Sequence, residues 1–294
     1  MRRARPLLGT FVEITGAGLA AGALGRAIDE AFEAVALVHR LMSFHDPDSD
    51  VSRLNREGFD CTVAVHPWTY RVLQTARELH QRSAGLFDVA VAPALQRLGL
   101  LPQHADDTMP QHASVEDAIE LGRDYRVRLR DRGRAIDLGG IAKGFAVDRA
   151  VDVLRERGLS GGLVNAGGDL GAFGAADWVH IRHPADPERF LAQVEIGDAA
   201  LASSGRNFDA LQFDDVKNCA IIDPRSGRQV HAVAGATVRA PSCMIADALT
   251  KVVMIDGEAA SPLLEHYRAS ALLVLPSGEV RATADWQDGI RLAA

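Results

Sequence analysis

"AIDLGGIAKGFAVDRAVDVLRERGLSGGLVNAGGDLGAFG", residues 135–174, carries the reading of the fold. A strand expected near 134–137 runs into Gly139-Gly140. A helix then spans about 141–157 and stops at Gly158, where a glycine past the last helical turn belongs. An apolar strand follows, then a second glycine pair in "NAGGDL", 165–170. Such a pair is more often a bulge or sheet corner than a platform for a flat ligand.

The rest of the chain repeats this mixture without a regular strand–helix–strand count. Residues 7–15 alternate as a strand after Pro6. Residues 19–41 place Leu24, Ile28, Phe32, Val35 and Val38 at helical spacing. Pro67 to Ser83 reads as a second helix. The Pro-, Asp- and His-rich run 100–113 reads as a surface loop, and a short helix starts at Ser114. Strands are expected near 125–130 and across most of 170–240, with turns at "HPADPE" and "DPRSGR". A helix follows Ser261, and a hairpin closes through "PSGE". The expected class is α+β: two closely packed mixed α/β lobes with largely antiparallel sheets, within one domain over 1–294.

Composition narrows the function. The 294 residues are 47% hydrophobic and 24% charged, as in a folded globular protein. Net charge is −7, from 39 acidic and 32 basic residues with interspersed signs, which speaks against a nucleic-acid partner. Cys61, Cys219 and Cys243 form no CxxC pair and suit a reducing compartment. The basic start lacks the apolar core of a signal peptide, and no run is long and apolar enough to span a membrane, so the expected location is cytoplasmic. No histidine pair has HExxH spacing; His104, His112, His180 and His183 read as surface residues. "LASSGRNF", 201–208, reads as a polar loop with Ser203, Ser204 and Arg206, and no GxSxG elbow exists.

Two stretches could carry chemistry. In "DLGGIAKG" the free amides of a helix start, with Lys143 in the first turn, suit a phosphate. The alternative is a tight turn with a solvated lysine. In "PSCMIADALTKVVMIDG", 241–257, Ser242 caps a helix on which Asp247 and Lys251 stand four apart. On a surface such a pair is weak. Here Met244, Ile245, Leu249, Val252, Val253 and Met254 surround it, so the helix is buried, and a buried carboxylate needs a cation or several donors. Asp247 is either a ligand for a hard cation such as Mg²⁺ or the partner of Lys251.

In order, "LLGTFVEI", "LMSFHDPDSDVSRLN", "FDVAVAP", "IDLGGIAKGFAVDRAVDVL", "NAGGDL", "SSG", "IIDPRSG" and "APSCMIADAL" resemble the motifs of the FAD:protein FMN transferase family, the ApbE-like flavin transferases. Each is weak alone, and eight in family order over nearly the whole chain are specific. The resemblance implies a flavin site between the two lobes. It implies Mg²⁺-dependent cleavage of FAD, with FMN passed to a threonine or serine hydroxyl of an acceptor flavoprotein and AMP released. It places flavin contacts at Met42, Ser43, Phe44, Phe87, Asp88, Asp137, Lys143 and Ile221. It places the metal on the Gly140 carbonyl and Asp247. In this chain Thr250 reads as a replacement metal hydroxyl, and Asp247 and Lys251 read as the catalytic pair, the lysine giving a fixed positive charge against the pyrophosphate.

The pattern is broken in places. Lys251 stands where the family has a metal-ligating threonine, and an ammonium cannot ligate a metal. Ala220 stands where the family has histidine. "RLGLLP" replaces an aromatic, glycine-rich run, and many members are exported. Two alternatives follow: a non-catalytic FAD-binding protein in which Lys251 replaces the metal, and an FAD pyrophosphatase using water as acceptor.

Overall fold

Leu8 and Gly9, both left-handed at φ 56° and 71°, turn the first strand back on itself. Strand Arg2–Leu7 therefore pairs antiparallel with Thr10–Ala17. Two consecutive positive φ values suit the right-handed twist of a two-residue hairpin. The computed structural model describes residues 1–102, 118–131, 133–205 and 221–293. Residues 103–113 of the expected loop, the helix from Ser114, and His104, His112, Arg206, Cys219 and Ala220 lie outside the described residues.

The chain forms two units. The first comprises residues 1–37, 143–217 and 231–294, and the second 38–142 and 218–230.

The first unit holds an eight-stranded sheet in the order Arg2–Leu7, Thr10–Ala17, Gly161–Ala166, Asp169–Phe173, Ala199–Gly205, Gly235–Ala240, Ser270–Val274, Val280–Ala282. Every neighbouring pair is antiparallel. One face packs on a three-stranded sheet of Asp177–His183, Asp186–Ile196 and Ile290–Leu292. That core includes Leu170, Ala172, Ile181, Val194, Leu201, Leu272 and Trp286. Because strand side chains alternate, Asp169 and Gly171 face the other way. There Gly171 meets Val147 and Val151 of helix Ala142–Glu156, and Gly16 meets Leu24 and Ile28 of helix Ala21–Met42. The nearly all-buried helix Cys243–Asp256 packs on Ala199–Gly205 and Gly235–Ala240 on that same side.

The second unit has a small antiparallel sheet, Val63–Ala64, Arg126–Leu129 and Ile119–Leu121. Helices Asp50–Glu57, Pro67–Arg82 and Ala92–Arg97 belong to it. Asp50 ties two of them, accepting from His66 N at 2.8 Å and from Thr69 Oγ1 at 2.7 Å. Leu54, Leu73, Leu79, Leu129 and Leu138 are among its buried residues.

The helix expected at 141–157 is present as Ala142–Glu156, and that at 67–83 as Pro67–Arg82. Two local expectations are corrected. Residues 134–138 form no strand; Ile136 is held instead by Asn55, whose side chain bonds its N–H at 2.8 Å and its carbonyl at 2.9 Å. Ser203 and Ser204 lie in strand Ala199–Gly205 rather than in a loop, because their backbone pairs with residues 235–240.

Candidate active site

Gly144 decides how closely two helices approach. A Cβ built there would lie 2.2 Å from the Cys243 carbonyl oxygen and 2.8 Å from Asp247 Cβ. With only a hydrogen in that position, the start of helix Ala142–Glu156 lies against the start of Cys243–Asp256. Each helix then serves the other's unpaired amides. Asp247 Oδ2 accepts from Gly144 N at 3.1 Å. In return Asp148 accepts from Ser242 Oγ at 2.8 Å, Cys243 N at 2.7 Å and Met244 N at 3.0 Å. Ser242 also caps its own helix, accepting from Ile245 N at 3.4 Å.

Two ion pairs lie at this junction beside Asp148. Lys251 Nζ donates to Asp247 Oδ1, and to the Asp247 backbone carbonyl at 3.0 Å. Lys143 Nζ donates to Asp169 Oδ2 and lies 3.8 Å from Asp247 Oδ2. Asp247 is wholly buried and Asp169 is 2% exposed. Burial works against the Lys143 charge, but Asp169 and Asp247 outweigh it and hold the pKa above the ordinary lysine value. Burial, with the Asp247 charge behind it, raises the Asp169 carboxyl. Burial also pushes Asp247 up, yet Lys143, Lys251 and the Gly144 amide together take it below the usual carboxylate range. Cys243 is buried beside these carboxylates; desolvation first, then the charges of Asp169 and Asp148, push its thiol well up.

Thr250 is fully buried, and its hydroxyl donates to the Asp247 backbone carbonyl at 2.7 Å. Its single proton is thereby used, so Ser204 Oγ, 2.7 Å away, donates to Thr250. Asp169 and Ser204 were not singled out by sequence reasoning as parts of one site. Asp169's signal was a charge opening the strand "DLGAF", in which every residue is buried.

The expected flavin contacts other than Lys143 belong to the second unit. Bonds draw several of their segments together. Ser49 Oγ donates to the Ser43 carbonyl at 2.7 Å and Ser52 Oγ to the Phe44 carbonyl at 3.3 Å, anchoring 42–44 to helix Asp50–Glu57. Asn55 of that helix holds Ile136, and Asp137 N donates to the Val89 carbonyl at 2.8 Å. Phe87 N donates to Ser83 Oγ at 2.9 Å, and Asp88 Oδ1 accepts from Ala90 N at 2.8 Å. Met42, Phe44, Phe87 and Ile221 are all buried. Burial raises the Asp137 carboxyl, with the Gly139 amide pulling the other way.

The metal implied by the resemblance can be tested against these donors. Asp247 spends Oδ1 on an ammonium and Oδ2 on an amide. Thr250 turns its hydroxyl to the helix backbone rather than toward that carboxylate. Gly139 and Gly140 form the turn before helix Ala142–Glu156, with Gly140 in the second unit. Among the described residues no group of three or more His, Cys, Asp or Glu could hold a metal. With two ammonium groups already at Asp247, these residues do not fit a divalent cation.

The ApbE family model matches residues 8–273. The FAD:protein FMN transferase of Vibrio cholerae is 31% identical over 235 residues, covering 75% of this chain and 70% of that protein. The Treponema pallidum protein of the same name is 27% identical over 297 residues, covering 90% and 82%. The solved structure of flavin transferase ApbE from Vibrio cholerae superimposes with a TM-score of 0.80 at 27% identity, over 98% of each chain.

Proposed function

The chain belongs to the ApbE family, and on that premise we propose that it is an FAD:protein FMN transferase that moves FMN from FAD to a threonine or serine hydroxyl of an acceptor flavoprotein, releasing AMP. The observation that carries the proposal is the pair of lysines, Lys143 and Lys251, held at one helix junction by buried Asp169 and Asp247. Phosphoryl transfer is chiefly positioning and charge neutralisation, and two fixed ammonium groups supply the second. The acceptor oxygen forms a bond to the FMN phosphorus, the pyrophosphate oxygen leaves with AMP, and the hydroxyl proton passes to solvent.

Met42, Ser43, Phe44, Phe87, Asp88, Asp137 and Ile221 are the proposed flavin contacts, and Lys143 the proposed phosphate contact. Gly140 and Asp247 are the metal positions that the resemblance implies, with Thr250 as the replacement hydroxyl. Their donors do not fit Mg²⁺, so no step here passes through a metal.

The neutral grouping of two lysines and two carboxylates also favours a second reading, in which FAD is held and not cleaved. Chromatography of FAD incubated with the protein, with and without an acceptor domain carrying Asp-x-x-Ser-Gly-Ala-Thr, separates these readings. Acceptor-dependent AMP with flavin left covalently on the acceptor is expected. Intact FAD throughout supports the second reading, and FMN with AMP in the absence of acceptor makes the protein a pyrophosphatase.

A further inference from the structure

The oxygens of Asp247 are all engaged. Oδ1 accepts from the Lys251 ammonium, and Oδ2 accepts from Gly144 N at 3.1 Å. The backbone carbonyl accepts from Thr250 Oγ1 at 2.7 Å and from Lys251 Nζ at 3.0 Å. Asp169 Oδ2 accepts from Lys143. The helix itself fixes this arrangement, since positions 247 and 251 are one turn apart and the lysine stem reaches back over that turn. Asp247 and Asp169 are each matched by one ammonium group, so these four charges sum to zero. A divalent cation entering beside Asp247 would meet like charge on Lys251 and Lys143, and the other carboxylate of the junction, Asp148, is spent on Ser242, Cys243 and Met244.

We propose that Lys251 is this chain's built-in replacement for a divalent cation, so that the site binds the flavin dinucleotide without metal. The Nζ of Lys251 sits on Asp247, where a metal-dependent site would need that carboxylate free. Its side chain is 19% exposed, so the residue is not sealed from solvent as Asp247 is. Removing the ammonium and introducing a hydroxyl, as in Lys251→Thr, leaves a net negative charge and a free Asp247 oxygen. That variant therefore gains a metal site which the natural chain lacks. The inference rests on the transferase reading for its nucleotide, and not for its account of the metal.

Mn²⁺ alone serves as the probe of the metal, read by the loss of its free electron-paramagnetic-resonance signal. The natural chain is expected to show no saturable Mn²⁺ binding. Lys251→Thr is expected to bind one Mn²⁺ per chain at least about tenfold more tightly, as removal of a repelling charge at close range requires. Asp247→Ala added to Lys251→Thr abolishes it. Lys251→Gln, which keeps most of the side-chain length without charge, gives the same gain should Lys251→Thr fold poorly. One Mn²⁺ bound by the natural chain as tightly as by both variants overturns the proposal.

FAD binding, followed by flavin fluorescence, is expected to be equal in EDTA and in Mg²⁺. FAD binding that requires Mg²⁺ overturns the proposal as well. No FAD binding under either condition overturns the transferase reading, while the Mn²⁺ titration still decides the role of Lys251.

Discussion

Gly144→Ala is a small substitution with a large expected cost. In an open helix it would stabilise, since alanine exceeds glycine by about 1 kcal/mol in helix propensity. Here the new methyl would lie 2.2 Å from the Cys243 carbonyl oxygen, where ordinary contact begins near 3.4 Å. That obstacle is backbone, so the helix must recede by about 1.2 Å. The Gly144 N to Asp247 Oδ2 bond, now 3.1 Å, then stretches beyond hydrogen-bonding range. Overpacking costs about 1–3 kcal/mol. Losing a bond to a charged acceptor adds about 1.5–3 kcal/mol. Less the propensity gain, the net loss centres near 3 kcal/mol, and with an unfolding entropy of about 2.1 cal/mol/K per residue a chain of this size should melt about 5 °C lower. Differential scanning calorimetry reads this directly. Gly22→Ala is the control, because an added Cβ there meets only Arg26 Nη1 at 3.8 Å, and its melting temperature should hold or rise. A Gly144→Ala protein that melts with the natural chain would refute the claim that glycine sets the helix approach.

Two further substitutions probe the same junction. Asp148→Ala removes the acceptor for one hydroxyl and two amides at the start of Cys243–Asp256, and should lower urea stability by about 2–4 kcal/mol; Asp148→Asn, which keeps one oxygen, should recover part of that. Lys143 predicts an alkaline limit. Its pKa is raised in the folded chain by Asp169 and Asp247, so above the ordinary lysine value of about 10.4 the folded state holds a proton that the unfolded state has lost. The stabilisation is full below that pH and declines as pH rises beyond it. Melting temperatures of the natural chain and of Lys143→Met should therefore converge above about pH 10.4, and a gap that stays constant would refute the pairing.

Much of the local structure was legible because its signals are local. Ser242 after a proline, with apolar residues following, marked the start of Cys243–Asp256. Spacing of four placed Lys251 on Asp247, and apolar neighbours on all sides announced their burial. The initial hairpin was half missed, because Leu8 at φ 56° takes a turn position for which glycine or asparagine would have been the cue. Contacts distant in sequence were illegible. Nothing near Lys143 says that Asp169 will hold it, and nothing near Asp148 announces that it will cap a helix 94 residues onward. Such pairings follow from sheet order and helix approach, which no local window contains. Thr250 shows the same limit from the other side: it looked like a spare hydroxyl for a metal, and its turn toward the backbone follows from the helix and from Ser204.

The three-part make-up of the first unit bears on how the chain is made. Residues 38–142 supply nearly all of the second unit in one continuous stretch, so that unit can collapse while synthesis is still under way. The first unit cannot. The hairpin of residues 2–17 must wait for strand Gly161–Ala166 to join its edge, and strand Ala199–Gly205 waits for Gly235–Ala240. Until then the amides of that edge stay open to other nascent chains. Asp247 reaches Gly144 across 103 residues, so the charge cluster is among the last features to assemble. Lys143 and Asp169 emerge from the ribosome well before the residues that complete their surroundings. A ribosome stalled near residue 240 would expose residues 38–142 while still enclosing 218–230, the last segment of the second unit, and its first unit would have no functioning site.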